Sequence, residues 1–188
     1  MDQTPTRHQR VGFIDTSHYR EDVMEERIEI NDQITVGSQP SKDDIEKLAQ
    51  QGFKSVFNLR AFGEDEQPMQ PDEEGKEVKG CGMEYHHMSV VPDEMDEEMV
   101  DQFREEMDRA PKPAFVHCKS GKRSGAFTMM KIASERGMSG EQTLEEAERM
   151  GFECDTERLE SFVRDYVNSH TSRGGSGWAT GEEVGPRV

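Results

Sequence analysis

The sequence predicts an α/β fold with a central, mostly parallel sheet flanked by helices. Short apolar stretches that are typical of buried strands alternate along the chain with longer segments whose apolar residues recur at helical spacing. Near the amino terminus, two short stretches of alternating apolar and polar residues predict a β-hairpin. Strands that alternate with helices form a parallel sheet covered on both faces, and such sheets bind ligands at the carboxyl ends of their strands.

A single domain accounts for most of the 188 residues, and we predict that it spans residues 27–169. Residues 1–26 mix Thr, Arg, His and Gln without apolar periodicity and are predicted to form a flexible segment. Residues 170–188 are rich in glycine and are predicted to form a disordered tail.

The first predicted elements are the hairpin and one helix. Residues 27–30 and 33–36 alternate apolar and polar side chains on either side of an Asn-Asp pair, which favours a turn. Ser41, followed three residues later by Asp44, predicts a capped helix start. Gly52 is predicted to end this helix.

Strands and helices then alternate through the middle of the chain. Residues 53–59 predict a strand, the acidic stretch 71–79 predicts a weak helix, and residues 83–90 predict the next strand. Residues 96–109 carry their apolar side chains on one side and predict a helix. It leads to a further strand at 114–117.

Three more helices are predicted to complete the domain. One follows the polar loop 119–125, carries apolar residues at helical spacing from Phe127 to Ala133 and stops at Gly137. The second begins at Ser139, with Gln142 in the position of a capping partner. The third begins at Thr156.

The segment 113–136 carries the candidate site. Its strand delivers His117 and Cys118 to the carboxyl end, and a polar loop with two glycines follows before the next helix. A strand, a tight loop and a helix amino terminus together form an anion pocket from backbone N–H groups and the helix dipole. Cys118 lies at the start of this predicted pocket.

The same segment is set apart by its charge. Acidic residues make up 40 of the 188, yet none occurs in the 26 residues from Arg109 to Ser134, which contain six Lys or Arg. Cationic groups and a helix amino terminus stabilise a thiolate. Cys118 is therefore predicted to be a nucleophilic thiolate, and the alternative is a buried, inert cysteine that only packs.

The whole chain is acidic, with a formal net charge of −17. Such a charge favours solubility or a basic partner, and it disfavours nucleic acid. The sequence contains no apolar run long enough to span a membrane, and its amino terminus lacks the apolar core of a signal peptide. We therefore expect a cytoplasmic protein that binds neither nucleic acid nor membrane.

The cysteines and histidines do not predict a metal site. Cys81, Cys118 and Cys154 lie far apart and form no CxxC motif, which argues against a disulfide framework and against zinc. His86 and His87 point to opposite sides of their strand and offer too few ligands, so packing is favoured for both. No metal or cofactor is predicted.

The run HCKSGKRS resembles the active-site loop of cysteine-dependent phosphatases of the protein-tyrosine-phosphatase superfamily, whose pattern is His-Cys, five residues, Arg, then Ser or Thr. Only four residues separate Cys118 from Arg123 in this chain. Four is the interval in rhodanese-type sulfurtransferases, which carry a similar C-x-S-G-x-R-S run and hold sulfur.

The order of the segments narrows the resemblance. The strings ITVGSQP, GFKSVFNLR, MEYHHMSVV and AFVHCKSGKRS together resemble the bacterial phosphatase-like domain family associated with beta-lactamase-hydrolase-like proteins. More distantly they resemble the fungal and plant atypical dual-specificity phosphatases. The resemblance covers roughly residues 28–137 and implies a cysteine-phosphatase-like fold.

The resemblance also implies roles for the loop residues. Cys118 would be the nucleophile, and Arg123 would clamp the oxyanion through two parallel hydrogen bonds. Ser124 would hydrogen-bond the sulfur and help it leave, or would cap the following helix. His117 would set the environment of the thiol. The N–H groups that bind substrate would come from the loop residues Lys119, Ser120, Gly121 and Lys122.

A phosphatase of this kind needs a general acid for the leaving oxygen. Asp93 is the candidate, because it follows the strand 83–90 in a loop that should border the pocket, where the resemblance places an acid. Helix capping is its alternative role, and Glu94 and Asp96 are rival acids.

Arg60 ends the strand 53–59, on the same edge of the predicted sheet as Cys118. It is predicted to contact the bound anion or to brace the loop. A salt bridge with Glu64 or Asp65 is the alternative.

The expected function is that of a cysteine-dependent phosphatase-like hydrolase, which acts on a phosphomonoester through a phosphocysteine intermediate. Two alternatives stay open: a rhodanese-like sulfurtransferase that uses a Cys118 persulfide, and a non-catalytic module that binds phosphate or another oxyanion. The predicted partner is a phosphorylated substrate or a small oxyanion. The sequence does not indicate the oligomeric state.

Overall fold

A five-stranded sheet organises the part of the chain that the computed structural model describes, residues 27–152, 154 and 156–174. Its strands are β1 Arg27–Glu29, β2 Ile34–Gly37, β3 Ser55–Asn58, β4 Glu84–His87 and β5 Ala114–His117. Their order in space is β1-β2-β5-β3-β4. β1 pairs antiparallel with β2, whereas the other neighbours pair parallel. The predicted mostly parallel sheet with an N-terminal hairpin is confirmed.

Six α-helices cover this sheet within the described residues. They are α1 Lys42–Gln50, α2 Pro71–Gly80, α3 Glu97–Arg109, α4 Lys122–Arg136, α5 Gly140–Arg149 and α6 Glu157–Gly174. α1 and α2 pack on the sheet face that carries Val56 and Phe115. The other four helices share the core on the opposite face, which carries Phe57 and Val116; within this layer α5 and α6 pack on α4. Successive strand residues thus face opposite layers, as the pleat of a strand requires.

The central strand β5 is buried over its whole length. It lies between β2 and β3 and pairs parallel with both. Its four residues form a short apolar run ending in His117, and a strand enclosed on both faces favours such a run over an alternating pattern. The strand therefore presents the residue that follows it, Cys118, at the middle of the sheet edge.

The predicted helix caps are confirmed. Ser41 and Asp44 form a capping box at the start of α1, and Ser139 and Gln142 form another at the start of α5. Asp96 caps α3, because its side chain accepts a hydrogen bond from the N–H of Met99 at 2.9 Å. These local signals could be found because each involves residues three apart in the chain.

Three element boundaries differ from those expected. α4 begins at Lys122, inside the predicted polar loop 119–125. The strand predicted at 83–90 pairs only as far as His87, and the chain then leads into a 3-10 turn at Pro92–Glu94. α6 continues to Gly174, past the predicted domain boundary at residue 169. Stacking of Tyr166 on His170, with ring centroids 4.0 Å apart, accompanies these additional turns. The predictions for residues 1–26 and 175–188 fall outside the described residues.

None of the helices described between residues 27 and 174 is long and apolar enough to cross a membrane.

Candidate active site

The carboxyl ends of the four parallel strands meet along one edge of the sheet. The last residues of β2, β5, β3 and β4 lie in a single row across the sheet. The segments that follow these strands, which include Gln39, Cys118 and Arg60, therefore come together at this edge. The predicted placement of the candidate site is reproduced by the fold.

Cys118 begins the loop that joins β5 to α4. Its backbone N–H donates to the carbonyl oxygen of Gly37 at 3.4 Å, and Ser38 forms an antiparallel bridge with Ser120. Gly121 has a φ of 90°, a left-handed conformation that favours glycine. The loop is thus held against the segment that follows β2.

The amino end of α4 carries no side-chain cap. Gly121 occupies the capping position and has no side chain to offer, and no acidic residue lies in the first turn. The first N–H groups of a helix have no acceptor within the helix. Here they are available to an anion next to Cys118, and the helix dipole favours negative charge at this end.

Ser124 lies in the first turn of α4 and does not cap it. Its Oγ lies 2.9 Å from the Gly121 carbonyl oxygen and 3.8 Å from Cys118 Sγ. The hydroxyl is therefore placed beside the sulfur, the position that the predicted interaction with Cys118 requires.

The Cys118 side chain is enclosed, with about 1% of the residue exposed, and it contacts the apolar core. Lys119 and Ser120, which follow it, are exposed. The sulfur therefore lies at the base of the loop rather than on its surface, and it is more enclosed than the sequence prediction of a reactive thiolate implied.

Arg123 is the buried cation beside Cys118. Its Nη1 donates to the Leu59 and Val90 carbonyl oxygens, at 3.2 and 2.7 Å. Two parallel hydrogen bonds, at 2.5 and 2.9 Å, join Nη1 and Nη2 to the carboxylate of Glu64. Burial opposes the charge of Arg123, but the hydrogen bond to Glu64 and the attraction of Cys118 raise its pKa. The guanidinium is thus held in one orientation near the sulfur.

Glu64 lies in the segment 61–70, which joins β3 to α2. Burial acts to raise the pKa of its carboxyl group, but hydrogen bonds from Arg123, the Ala61 N–H and Arg60 outweigh burial and lower the pKa to about 2. Glu64 is therefore an anion shared by two buried guanidinium groups.

The segment 61–70 supplies a second carboxylate to the loop. Lys119 Nζ lies 2.5 Å from Glu66, and this hydrogen bond lowers the pKa of the Glu66 carboxyl group. The loop that lacks acidic residues along the sequence is thus approached by acidic residues from elsewhere in the fold. A window of sequence cannot reveal this charge balance.

Arg60 is about 1% exposed and holds the segment 61–70 in place through hydrogen bonds. It donates from Nε to Glu64 at 2.9 Å, from Nη2 to the Asp65 carbonyl oxygen at 2.6 Å, and from Nη1 to the side chain of Gln39 at 2.7 Å. The salt bridge with Glu64 was one of the alternatives for Arg60. Contact with a bound anion stays a prediction.

His117 forms a buried pair with Glu74, a residue of α2. Both side chains are 0% exposed, and Nε2 of His117 lies 2.5 Å from Oε1 of Glu74. The other oxygen of Glu74 accepts hydrogen bonds from Asn58 at 3.0 Å and from Gln39 at 2.7 Å. Glu74 thus orients the His117 ring from α2, which lies on the sheet face opposite to α4.

Asp93 lies in the 3-10 turn before α3, with its side chain 85% exposed. Its carboxylate contacts Arg158 of α6 at 3.0 Å. The same connection reaches the candidate site through Val90, whose carbonyl oxygen binds Arg123. Asp93 therefore lies at the outer end of a segment that is anchored to the site. Asp96 caps α3, and Glu94 is exposed.

Sequence reasoning missed Gln39 and Glu74 and gave Glu64 only as a partner for Arg60. One signal for Glu74 was present. The buried residues of α2 recur at helical spacing, and a carboxylate occupies one of these apolar positions. Buried carboxylates are rare unless they are paired. The buried face of α2 consists of Pro71, Glu74, Gly75 and Val78.

Comparison with known proteins identifies a matching family model and a curated relative. The family described as beta-lactamase hydrolase-like protein, phosphatase-like domain, matches residues 27–134. The beta-lactamase hydrolase-like protein of Agrobacterium fabrum is 35% identical over 99 residues, which are 52% of this chain and 22% of that protein. The chain therefore spans less than a third of the length of the curated relatives that it matches.

Solved structures share the fold. Tk-PTP in its active form superposes with a TM-score of 0.63 at 23% identity, over 78% of this chain and 99% of that chain. A cysteine-to-serine variant of TpbA from P. aeruginosa, in complex with pTyr, superposes with a TM-score of 0.61 at 18% identity, over 79% and 91% of the two chains. The phosphatase-like α/β architecture implied by the resemblance is confirmed.

Proposed function

The chain belongs to the family of the beta-lactamase hydrolase-like protein, phosphatase-like domain, and from this premise we propose that it hydrolyses a phosphomonoester through a phosphocysteine at Cys118. One observation carries the proposal. Cys118 begins the loop that leads to the uncapped amino end of α4, and the guanidinium of Arg123 lies beside it. A thiolate, free N–H groups and a fixed guanidinium are the parts that phosphoryl transfer to sulfur requires.

In the first step the Cys118 thiolate attacks phosphorus in line with the leaving oxygen. A sulfur–phosphorus bond forms while the phosphorus–oxygen bond to the leaving group breaks, and the leaving oxygen takes a proton from a general acid. In the second step water attacks phosphorus and gives a proton back to the carboxylate of the general acid. The sulfur–phosphorus bond breaks, and inorganic phosphate leaves with the thiolate regenerated. Neither step needs an oxidant or a reductant.

The loop stabilises the charge that spreads over the three equatorial oxygens. In this proposal, backbone N–H groups from Lys119 to Ser124 bind these oxygens, and Arg123 provides a planar donor that matches two of them. The Ser124 hydroxyl, 3.8 Å from Sγ, donates to the sulfur when it becomes a leaving group in the second step. His117, fixed by Glu74, holds the strand end that carries the thiol.

Asp93 is the proposed general acid. In this structure its side chain contacts Arg158, so the carboxyl group must leave that contact to reach a leaving oxygen. The pair is exposed on both sides, and such contacts contribute little free energy, about 0–1 kcal/mol. Loss of this side-chain contact therefore costs little free energy. Arg158 also donates to the backbone carbonyl oxygen of Asp93, and this hydrogen bond can stay when the carboxyl group turns away.

Sulfur transfer is the second candidate, and the interval of four residues between Cys118 and Arg123 favours it. In this reaction the Cys118 thiolate attacks the outer sulfur of thiosulfate, a persulfide forms and sulfite leaves. Cyanide then takes the outer sulfur as thiocyanate and the thiolate returns. No general acid is needed, so Asp93 would have no role.

The test compares wild type, Cys118→Ser and Arg123→Lys with an aryl phosphate and, separately, with thiosulfate and cyanide. We expect phosphate release that is lost in Cys118→Ser and falls at least about a hundredfold in Arg123→Lys, because Lys cannot provide the paired donors. Cys81→Ser is the matched control, since this free cysteine lies in the small apolar layer under α1 and α2. It should keep wild-type activity.

Other outcomes contradict the proposal. Cys118-dependent thiocyanate formation without phosphate release would establish the sulfurtransferase instead. Binding of inorganic phosphate with neither activity would establish an anion-binding module.

A further inference from the structure

A chain of polar side chains runs beneath the Cys118 loop and connects its two ends. Each member contacts the next through a side-chain hydrogen bond of 3.0 Å or less. One end is Arg123, and the other is His117, the residue directly before Cys118. The members in order are Arg123, Glu64, Arg60, Gln39, Glu74 and His117.

Gln39 joins the two halves of this chain. Its Oε1 accepts from Arg60 Nη1 at 2.7 Å, and its Nε2 donates to Glu74 Oε2 at 2.7 Å. The same Nε2 donates to the Met69 carbonyl oxygen at 2.9 Å, which ties the end of the segment 61–70. The partners fix the orientation of the amide, because Arg60 can only donate and the Met69 carbonyl can only accept.

The first half of this chain of side chains, Arg60 and Glu64, fixes the orientation of the Arg123 guanidinium. Arg60 is about 1% exposed and donates to Glu64 at 2.9 Å. Glu64 in turn receives both hydrogen bonds from Arg123. If Arg60 lost its acceptor on Gln39, Nη1 would keep only the longer hydrogen bond to the Glu66 carbonyl oxygen, at 3.2 Å. The guanidinium would then shift toward Glu66, and Glu64 would shift with it.

The second half, Glu74, fixes the orientation of the His117 ring. Glu74 uses one oxygen for His117 and the other for Gln39 and Asn58. If Glu74 lost the donor on Gln39, a buried carboxylate would be left with one hydrogen bond fewer. Buried polar groups that lose a partner carry a large free-energy cost, so the pair with His117 would rearrange.

The backbone around Gln39 contacts the loop as well. Gly37 accepts from the N–H of Cys118 at 3.4 Å, and Ser38 bridges to Ser120. Gln39, which joins the two halves of the network, thus lies in the segment after β2 that also supports the Cys118 loop.

We propose that Gln39 is a positioning residue, which keeps the Cys118 strand end and the Arg123 guanidinium in a fixed relation. The inference rests on the proposed function, because it assigns Gln39 to the machinery of that same site. Gln39 acts through Arg60 and Glu74 and does not itself touch the substrate. A misplacement of catalytic groups by about 1 Å can cost about a hundredfold in rate. Loss of the Gln39 side chain should therefore lower kcat strongly, although Gln39 does not touch the substrate.

The test uses two variants, Gln39→Leu and Gln39→Glu. Leucine is similar in size to glutamine but can bind neither Arg60 nor Glu74. The introduced carboxylate keeps an acceptor for Arg60 but faces Glu74 at a place where a donor is needed. The matched control is Ser55→Ala, at the amino end of β3. Ser55 is 0% exposed and donates to the Pro111 carbonyl oxygen at 2.9 Å, so its loss removes a buried hydrogen bond away from the site.

Three measurements are made on each variant: kcat and KM with an aryl phosphate, the Kd for inorganic phosphate, and the rate of Cys118 alkylation by iodoacetamide with Cys81 and Cys154 replaced by serine. For Gln39→Leu we expect kcat to fall about tenfold to a hundredfold with a smaller change in KM, weaker phosphate binding and an altered alkylation rate. Ser55→Ala should leave all three within about twofold while it lowers the Tm.

The pH profile separates positioning from packing. Gln39→Glu should be as defective as Gln39→Leu at neutral pH and should recover in part at acid pH. Protonation of the introduced carboxyl group restores a donor to Glu74, while its other oxygen still accepts from Arg60. Gln39→Leu should not recover.

The inference is overturned if Gln39→Leu behaves like Ser55→Ala, or if Gln39→Glu stays fully active at neutral pH. Failure of the proposed function would be distinct. Wild type would then release no phosphate, whereas phosphate binding and alkylation would still report whether Gln39 holds the two ends of the loop.

Discussion

Arg123 and Glu64 are joined through the Nη atoms of the guanidinium. The carbonyl oxygens of Leu59 and Val90 also bind Nη1. A planar guanidinium has a second edge, formed by Nε and Nη2, which can bind an oxyanion at the same time. Glu64 can therefore hold Arg123 without occupying the place of the substrate.

The ionisation of Glu64 should contribute stability that depends on pH. Its pKa is lowered from 4.5 to about 2 in the folded chain. Above about pH 4.5 the group is ionised in both states, and the folded state gains the full contact with Arg123. As pH falls through about 2 the folded carboxylate takes a proton, and this gain is lost.

The measurement is the urea midpoint of wild type and Glu64→Gln between pH 7 and pH 3. We expect the variant to have a lower urea midpoint than wild type at pH 7. The difference between the two midpoints should narrow as the pH falls below about 4.5. Glu46→Gln, which changes a carboxylate on the exposed side of α1, is the control and should show no such gap. A gap that is constant with pH would exclude an ionic contribution from Glu64.

Asp93 should affect turnover according to the leaving group. For Asp93→Asn we expect kcat to fall about a hundredfold with an alkyl phosphate, whose leaving oxygen needs a proton, and to change little with an activated aryl phosphate. The control is Asp96→Asn, since Asp96 caps α3 and Asn is an equally good cap. Equal losses with both substrates in Asp93→Asn would remove it as the acid.

Residue-level prediction from sequence was successful where a partner lies nearby in the chain. The capping pairs Ser41 with Asp44 and Ser139 with Gln142 are each three residues apart. Glu74 lies 43 residues from His117, and Glu64 lies 59 from Arg123, so no local pattern links them. Only the parallel sheet, which aligns its strand ends, brings these partners together.

At the scale of elements, α4 combines two roles. Its amino end faces the anion site without a cap, and its body is buried on all sides, with eleven residues from Arg123 to Ala133 enclosed. A helix that is buried all round shows no apolar stripe. The sequence predicted α4 from apolar residues at helical spacing between Phe127 and Ala133 and from the stop at Gly137, but it did not show that the residues between them are buried as well.

The contact of α5 with α6 depends on the absence of a side chain at Gly140, the first residue of α5. A Cβ built there would lie 2.7 Å from backbone atoms of Arg164. These atoms belong to α6 and can move only if the helix moves. Packing at this distance resembles the insertion of a methyl group into a filled core, which costs about 1–3 kcal/mol.

Gly140→Ala should therefore destabilise the chain by about 1–3 kcal/mol. The matched control is Gly80→Ala at the end of α2, where an added Cβ would meet no atom within 4 Å. That variant should be neutral or up to about 1 kcal/mol more stable, because alanine loses less backbone entropy on folding. Equal effects of the two variants in urea unfolding would show that α5 and α6 are not closely packed.

At the scale of the whole molecule, the charge is far from balanced. The 40 acidic residues exceed the 23 Lys and Arg residues, which leaves the formal charge of −17. Composition reveals this excess, but not that acidic residues of the segment 61–70 contact the cationic Cys118 loop. The net charge of the whole chain therefore does not describe the charge balance around Cys118, where cations are paired with carboxylates.

Self-repulsion among the unpaired carboxylates should make the folded chain more stable in salt. At about 10 mM salt the screening length is about 30 Å, so repulsion acts across the whole molecule, whereas at about 0.5 M it acts only between neighbours. Salt also weakens the exposed ion pairs, but these contribute only about 0–1 kcal/mol each. Because acidic residues are in excess, loss of repulsion should outweigh loss of pairs.

The Tm should therefore rise when NaCl increases from about 10 mM to about 0.5 M. KCl should give the same rise at equal ionic strength, because the effect depends on screening and not on the identity of the cation. A larger rise with NaCl than with KCl would instead indicate specific cation binding by the carboxylates. A Tm that falls with salt would mean that the ion pairs, with Lys119–Glu66 and Lys42–Glu77 among them, stabilise the fold more than the excess charge destabilises it.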